Sequence, residues 1–119
     1  MNISIVIPVY NEQDSLRELH GEICGVAQTS AYDCEMIFVD DGSTDGSWEA
    51  ISQIAADDAR VHGIRFRRNF GKSAALAAGV RAANHDWIVM LDADLQDDKR
   101  RLSVTIGVCG HYGVFGDSL

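Results

Sequence analysis

Ile3-Ser4-Ile5-Val6-Ile7-Pro8, followed at once by Val9-Tyr10-Asn11-Glu12, decides the fold of this 119-residue chain. The run is short, β-branched and nearly continuous in apolar character, as a strand buried on both faces of a parallel sheet must be. Pro8 cannot donate a ladder hydrogen bond, so the strand is expected to end there. Beyond the loop, Leu16, Leu19, Ile23 and Val26 or Ala27 recur at helical spacing and predict a helix from about Asp14 or Ser15 to Gln28. A strand that feeds a helix opens an α/β unit.

The same alternation continues. Glu35 to Asp40 is a second apolar strand, stopped by the turn-forming residues Asp41 to Ser47. A helix from Thr44 or Asp45 to Asp58 places Trp48, Ile51, Ile54 and Ala55 on one face. Val61 to Phe66 is a third strand, Gly71 to Ala83 an alanine-rich helix, and Trp87 to Leu91 a fourth strand. The order β-α-β-α-β-α-β predicts a doubly wound, mainly parallel, Rossmann-like sheet with right-handed crossovers.

Ligands of such sheets bind beyond the carboxyl ends of the strands. Four polar segments leave the strands at that end: Tyr10 to Glu12, Asp40 to Asp45, Arg67 to Lys72, and Asp92 to Gln96. In an extended chain Asp92, Asp94 and Gln96 point to one side, with Ala93 and Leu95 on the other. Two carboxylates and a carboxamide are hard ligands suited to Mg²⁺ or Mn²⁺. They are too few to complete an octahedral shell, so the complex expected is metal plus diphosphate. Taken alone, Asp-x-Asp reads first as an acidic solvated turn after a strand, since so short a match is common.

Asp40 and Asp41 are adjacent, so one can follow the strand's inward face while the other turns aside. A carboxylate at this place can accept a nucleobase N–H or bind ribose hydroxyls, or only cap the turn that follows. Ser43, Thr44 and Asp45 read as cap and turn residues. Arg65, Arg67, Arg68 and Lys72 concentrate four cations around the third strand and its exit. Phosphate held at the amino end of the next helix would account for them, and so would a solvated basic edge.

Several alternatives fail on the residues. Gly71-Lys72-Ser73 is not a P-loop, because Phe66 stands where the first glycine would be needed. No G-x-G-x-x-G follows the first strand, which disfavours a dinucleotide dehydrogenase. Cys24, Cys34 and Cys109 have no C-x-x-C spacing, suggesting neither a disulfide framework nor a zinc site. His20, His62, His85 and His111 share no ligand spacing and read as surface or loop residues; Trp48 and Trp87 read as packing.

Ten basic against 18 acidic residues give a net charge of −8, which argues against nucleic acid as a partner. The first residues lack a basic, then long apolar, leader, and no apolar run reaches the about 18 residues that span a bilayer. A soluble, cytoplasmic chain is expected.

Taken in order, Val6-Ile7-Pro8-Val9-Tyr10-Asn11-Glu12, Phe38-Val39-Asp40-Asp41-Gly42-Ser43-Thr44-Asp45, Arg68-Asn69-Phe70-Gly71-Lys72 and Leu91-Asp92-Ala93-Asp94-Leu95-Gln96-Asp97 resemble family 2 glycosyltransferases of the GT-A fold. The resemblance is strongest to the polyprenyl-phosphate branch that includes dolichyl-phosphate mannose synthase and bactoprenol glucosyltransferase. It implies that Pro8, Tyr10 and Glu12 line a nucleotide pocket, that Asp40 contacts the base, and that Asp41, Gly71 and Lys72 help hold the sugar nucleotide. Asp92, Asp94 and Gln96 would hold Mg²⁺ or Mn²⁺ on the diphosphate, with Asp92 and Asp94 catalytic through that metal. The implied reaction is inverting transfer of a hexose from a UDP- or GDP-sugar to a polyprenyl phosphate. Full-length relatives would work at the inner face of the membrane.

The resemblance covers about residues 2 to 98 and fades after Asp98, where Lys99 replaces the usual proline. Residues 1–98 are therefore expected to form the nucleotide-sugar-binding part of the GT-A domain, incomplete at its carboxyl end, and 99–119 a divergent tail. Leu102 to Val108 can form a strand, although Gly107, Gly110, Gly113 and Gly116 leave little side chain to bury, and irregular chain is the competing expectation. A truncated or frameshifted product, retaining nucleotide and metal binding without catalysis, is the alternative to an active enzyme.

Overall fold

The computed structural model describes residues 2–30 and 33–91 and the strands 104–109 and 113–118. The elements run β1 (Asn2–Val9), α1 (Leu16–Ser30), β2 (Asp33–Asp40), α2 (Ser47–Asp57), β3 (Val61–Arg65), α3 (Lys72–Ala82), β4 (Trp87–Leu91), β5 (Val104–Cys109) and β6 (Gly113–Ser118). They form one sheet in the order β3-β2-β1-β4-β5-β6. The first four strands in that order are parallel, and β5 and β6 continue the sheet antiparallel beyond β4.

The apolar runs behave as strands because β1 and β2 are covered on both faces. Ile3, Ile5, Ile7 and Val9 join Met36 and Phe38 against Leu16, Leu19 and Ile23 of α1 and Ile51 and Ile54 of α2. The alternate residues Val6, Ile37 and Val39 turn the other way and pack with Ala75 of α3. Gly79 lets α3 settle directly on the sheet, since a Cβ there would stand 2.2 Å from Val6 Cγ1. The alanine-rich composition of α3 serves the same close approach.

Most boundaries shift by a residue or two from expectation, and three departures have a clear local reason. β1 runs through Pro8 to Val9. Val9 accepts the Asp41 N–H at 2.8 Å on the β2 side, so the Pro8 nitrogen faces β4, whose pairing with β1 ends at Val6↔Met90. The missing donor therefore interrupts no ladder. α2 starts at Ser47 rather than Thr44 or Asp45, because residues 43–46 are engaged with the β1–α1 loop. At the carboxyl end, Val104–Cys109 pairs with β4 from Trp87↔Val108 to Leu91↔Val104, so a strand rather than irregular chain is found there.

The opposite end of the sheet is held by a buried carboxylate. Glu35 Oε2 accepts Ser4 Oγ–H at 2.5 Å and the Asn84 N–H at 2.6 Å, while Oε1 accepts from Asn84 Nδ2 at 3.0 Å. Burial alone would raise the Glu35 pKa, but these donors outweigh it and hold the carboxyl below its ordinary value. The network joins β1, β2 and the α3–β4 connection. A shallow groove of about 330 Å³, lined by Asn2, Asn84, His85, Asp86 and Trp87, opens beside it, away from the carboxyl-end rim.

Candidate functional site

The parallel strands bring Val9, Asp40 and Arg65 into register at one rim, through Val9↔Asp40 and Asp40↔Arg65. The loops that leave there carry Tyr10 and Glu12 from β1, Asp41 from β2, and Gly71 and Lys72 at the start of α3. Pro8 is buried one residue short of the rim, whereas Tyr10 is 46% exposed. β4 reaches its last described residue at Leu91. Asp92, Asp94 and Gln96 follow it in sequence and lie outside the described residues.

The two neighbouring carboxylates have different surroundings. Asp40 is fully buried; Oδ1 accepts the Ser43 N–H at 3.0 Å, closing the turn, and Oδ2 has no hydrogen-bond partner among the described residues. Asp41 turns aside, with Oδ1 accepting the Phe70 N–H at 2.7 Å and Oδ2 the Gly71 N–H at 3.1 Å. It therefore shapes the loop that enters α3. Gly42, at φ 74°, allows that loop to come close, since a Cβ there would lie 2.2 Å from the Arg68 carbonyl carbon.

The β1–α1 and β2–α2 loops are laced together. Asn11 adopts φ 52°, donates its N–H to Ser43 Oγ at 2.9 Å, and accepts the Thr44 N–H on Oδ1 at 2.8 Å. Glu12 N–H donates to Ser47 Oγ at 2.9 Å, Gln13 N–H to Asp45 Oδ2 at 3.4 Å, and Gly46 N–H to Gln13 Oε1. Burial of Asp45 acts to raise its pKa, but donors from Ser47 and Gln13 prevail and lower it. Asn11, Gln13 and Ser47 carry no signal of this role beyond their turn-forming chemistry.

The basic residues divide. Arg65 stacks over Trp48 with its Cζ 5.5 Å from the ring centroid, and Arg68 over Phe70 at 4.7 Å. Phe66, the next residue, packs on the α3 face instead, as side-chain alternation along an extended segment requires. Lys72 is exposed at the first turn of α3, where N–H groups point outward from the helix.

Residues 4–113 match the family model described as glycosyl transferase family 2. The chain belongs to this family. It is 45% identical over 96 residues to an undecaprenyl-phosphate 4-deoxy-4-formamido-L-arabinose transferase of Pseudomonas fluorescens, covering 80% of this chain and 28% of that protein. Identity to a prophage bactoprenol glucosyl transferase homolog of Escherichia coli is 38% over 97 residues, covering 82% and 32% respectively. The chain thus spans about a third or less of the length of these family members. Among solved structures, the mannosyltransferase PcManGT of Pyrobaculum calidifontis, in complex with GDP-Man and Mn²⁺, superposes with a TM-score of 0.67 at 26% identity. That match covers 77% of this chain and 27% of that one. Mannosyl-3-phosphoglycerate synthase from Rubrobacter xylanophilus shares the fold, with a TM-score of 0.67 at 21% identity over 82% of this chain and 32% of that one. The sheet accordingly shares the GT-A fold of these structures. Among the described residues no helix is long and apolar enough to cross a membrane.

Proposed function

We propose that this chain is the donor-binding half of an inverting, metal-dependent glycosyltransferase that moves a hexose from a UDP- or GDP-sugar to a polyprenyl phosphate. The observation that carries this reading is Asp40 Oδ2, a buried carboxylate oxygen without a partner among the described residues at the rim where the loops meet. Leaving such an acceptor unsatisfied costs about 1–3 kcal/mol, more for a charged group. A ring N–H of the base, which uracil and guanine both have, would satisfy it.

In this reading Pro8, Tyr10 and Glu12 line the nucleotide pocket beside Asp40. Asp41 acts through the loop it braces, and Gly71 and Lys72 offer the diphosphate the amino end of α3 and a cation. Asp92, Asp94 and Gln96 are an all-oxygen donor set that fits Mg²⁺ or Mn²⁺. When bound, the ion supplies charge to offset that growing on the leaving diphosphate. An acceptor phosphate is already ionised at neutral pH, so the chain need not provide a strong base. The names of the polyprenyl-phosphate relatives support the acceptor class, and a lipid acceptor implies work at the cytoplasmic face of a membrane.

The test is calorimetric titration of the chain with UDP and GDP, with Mn²⁺ or with chelator. Binding of one nucleotide that requires metal, and loss of that requirement in Asp94→Ala, is the expected result. Equal binding in chelator counts against the metal role, and unchanged binding by Asp40→Asn against the base contact. Nucleotide binding without transfer to undecaprenyl phosphate would limit this chain to the binding function.

A further inference from the structure

On the α1–α2 side of the sheet, outside every rim segment, three different donors converge. His20 Nε2 lies 2.9 Å from Asp58 Oδ2 and 3.4 Å from Cys24 Sγ, and Cys24 Sγ lies 3.8 Å from Asp58 Oδ2. His20 and Cys24 share one face of α1 at i and i+4, and Asp58 directly follows α2. All three are partly buried.

A thiol, an imidazole and a carboxylate together suggest a nucleophilic relay, but this geometry opposes it. A relay needs one imidazole nitrogen facing the thiol and the other facing the carboxylate. Here Nε2 faces both. Three ligand atoms within 4.8 Å of one another instead suit a cation, and a cationic group already meets two of them. Arg60 Nη2 lies 3.3 Å from Cys24 Sγ and 2.9 Å from Asp58 Oδ2, and its Nε lies 3.0 Å from Asp58 Oδ1.

We infer that His20, Cys24 and Asp58 form a binding site for a thiophilic divalent cation of the zinc class, distinct from the oxygen-donor set at Asp92, Asp94 and Gln96. The donor types are those zinc takes, and ordinary zinc–ligand bond lengths in a tetrahedron place ligand atoms about 3.3–3.7 Å apart. The three observed separations of 2.9, 3.4 and 3.8 Å bracket that range. The Arg60 side chain is 46% exposed, so it can swing into solvent and leave a fourth position for water. The bound ion would clip α1 to the α2–β3 junction in place of the Arg60–Asp58 pair. Ion and guanidinium compete for the same two ligands.

The test is titration of the reduced 119-residue chain with Co²⁺ alone, reading thiolate-to-cobalt charge-transfer absorption. One equivalent is expected to give the band, Zn²⁺ to displace it, and the thermal midpoint to rise with Zn²⁺. Cys24→Ser removes the band, while Cys34→Ser, Cys109→Ser and Asp94→Ala keep it. Arg60→Gln, with the competing cation gone, binds more tightly. No band in the wild-type chain, or a band that survives Cys24→Ser, overturns the site. Should Cys24→Ser lose its fold by circular dichroism, His20→Gln decides: weaker Co²⁺ binding supports the site and unchanged binding overturns it.

Discussion

Asp41 accepts the Phe70 N–H at 2.7 Å, so a carboxylate at the end of β2 sets the conformation of the loop entering α3, 29 residues away. Its other oxygen takes the next N–H, from Gly71. Asp40, one residue earlier, gives one oxygen to its own turn and keeps the other unpartnered.

This division predicts separable variants. Asp41→Asn replaces one acceptor oxygen with an N–H₂ that faces a donor, and should cost about 1.5–3 kcal/mol of local stability. Hydrogen exchange at Phe70 and Gly71 should accelerate, with nucleotide binding weakened as a consequence. Asp40→Asn should leave those amides protected and weaken nucleotide binding directly. Equal acceleration in both variants would contradict the division.

Gly42 and Gly71 both have positive φ, at 74° and 101°, but in unlike surroundings. A Cβ at Gly42 meets the Arg68–Asn69 backbone, whereas at Gly71 nothing lies within 4 Å. Gly71→Ala should therefore cost only the conformational strain, about 1–3 kcal/mol. Gly42→Ala should cost more and displace the loop, which thermal denaturation of the two variants side by side will show.

Glu35 sets an acid limb to stability. Its pKa is lower in the folded chain than the ordinary 4.5, so the stability it adds is complete above that value and is lost as pH falls through the folded value. Glu35→Gln should lower the thermal midpoint at neutral pH and flatten its fall below about 4.5. Asp45 and Asp58 are depressed as well, so a shallower acid limb should persist. An unchanged profile in the variant would dismiss the network as a source of pH dependence.

Gly79→Ala places a methyl group 2.2 Å from Val6 Cγ1 and 3.3 Å from Val39 Cγ2. Overpacking of this kind costs about 1–3 kcal/mol, read as a shift in the urea midpoint. The companion change Val6→Ala should recover part of the loss in the double variant.

β1 and β2 are legible because burial on both faces leaves continuous apolar runs, and Trp87–Leu91 has the bounds expected. The parting of Asp40 from Asp41 is legible too, as it follows from side-chain alternation. α2 starts later than the cap chemistry suggests because Ser43 and Thr44 pair with Asn11 in another loop, while Asp45 divides its carboxylate between Ser47 at the helix start and the Gln13 N–H. Nothing local announces such pairs. For the same reason the spacing of cysteines and histidines gave no hint that Asp58 meets His20 and Cys24, since the convergence depends on how α1 packs beside α2. The metal-ligand expectation for Asp92, Asp94 and Gln96 rests on the sequence.

The reciprocal bonds between residues 11–13 and 43–47 have an evolutionary corollary. Neither loop can drift alone: replacing Asn11 leaves Thr44 without an acceptor, and shortening the segment at Ser43 leaves Asn11 without one. Exchanging these loops with those of a relative would therefore need both moved as a matched pair. Single-loop chimeras should fail through mismatched seams.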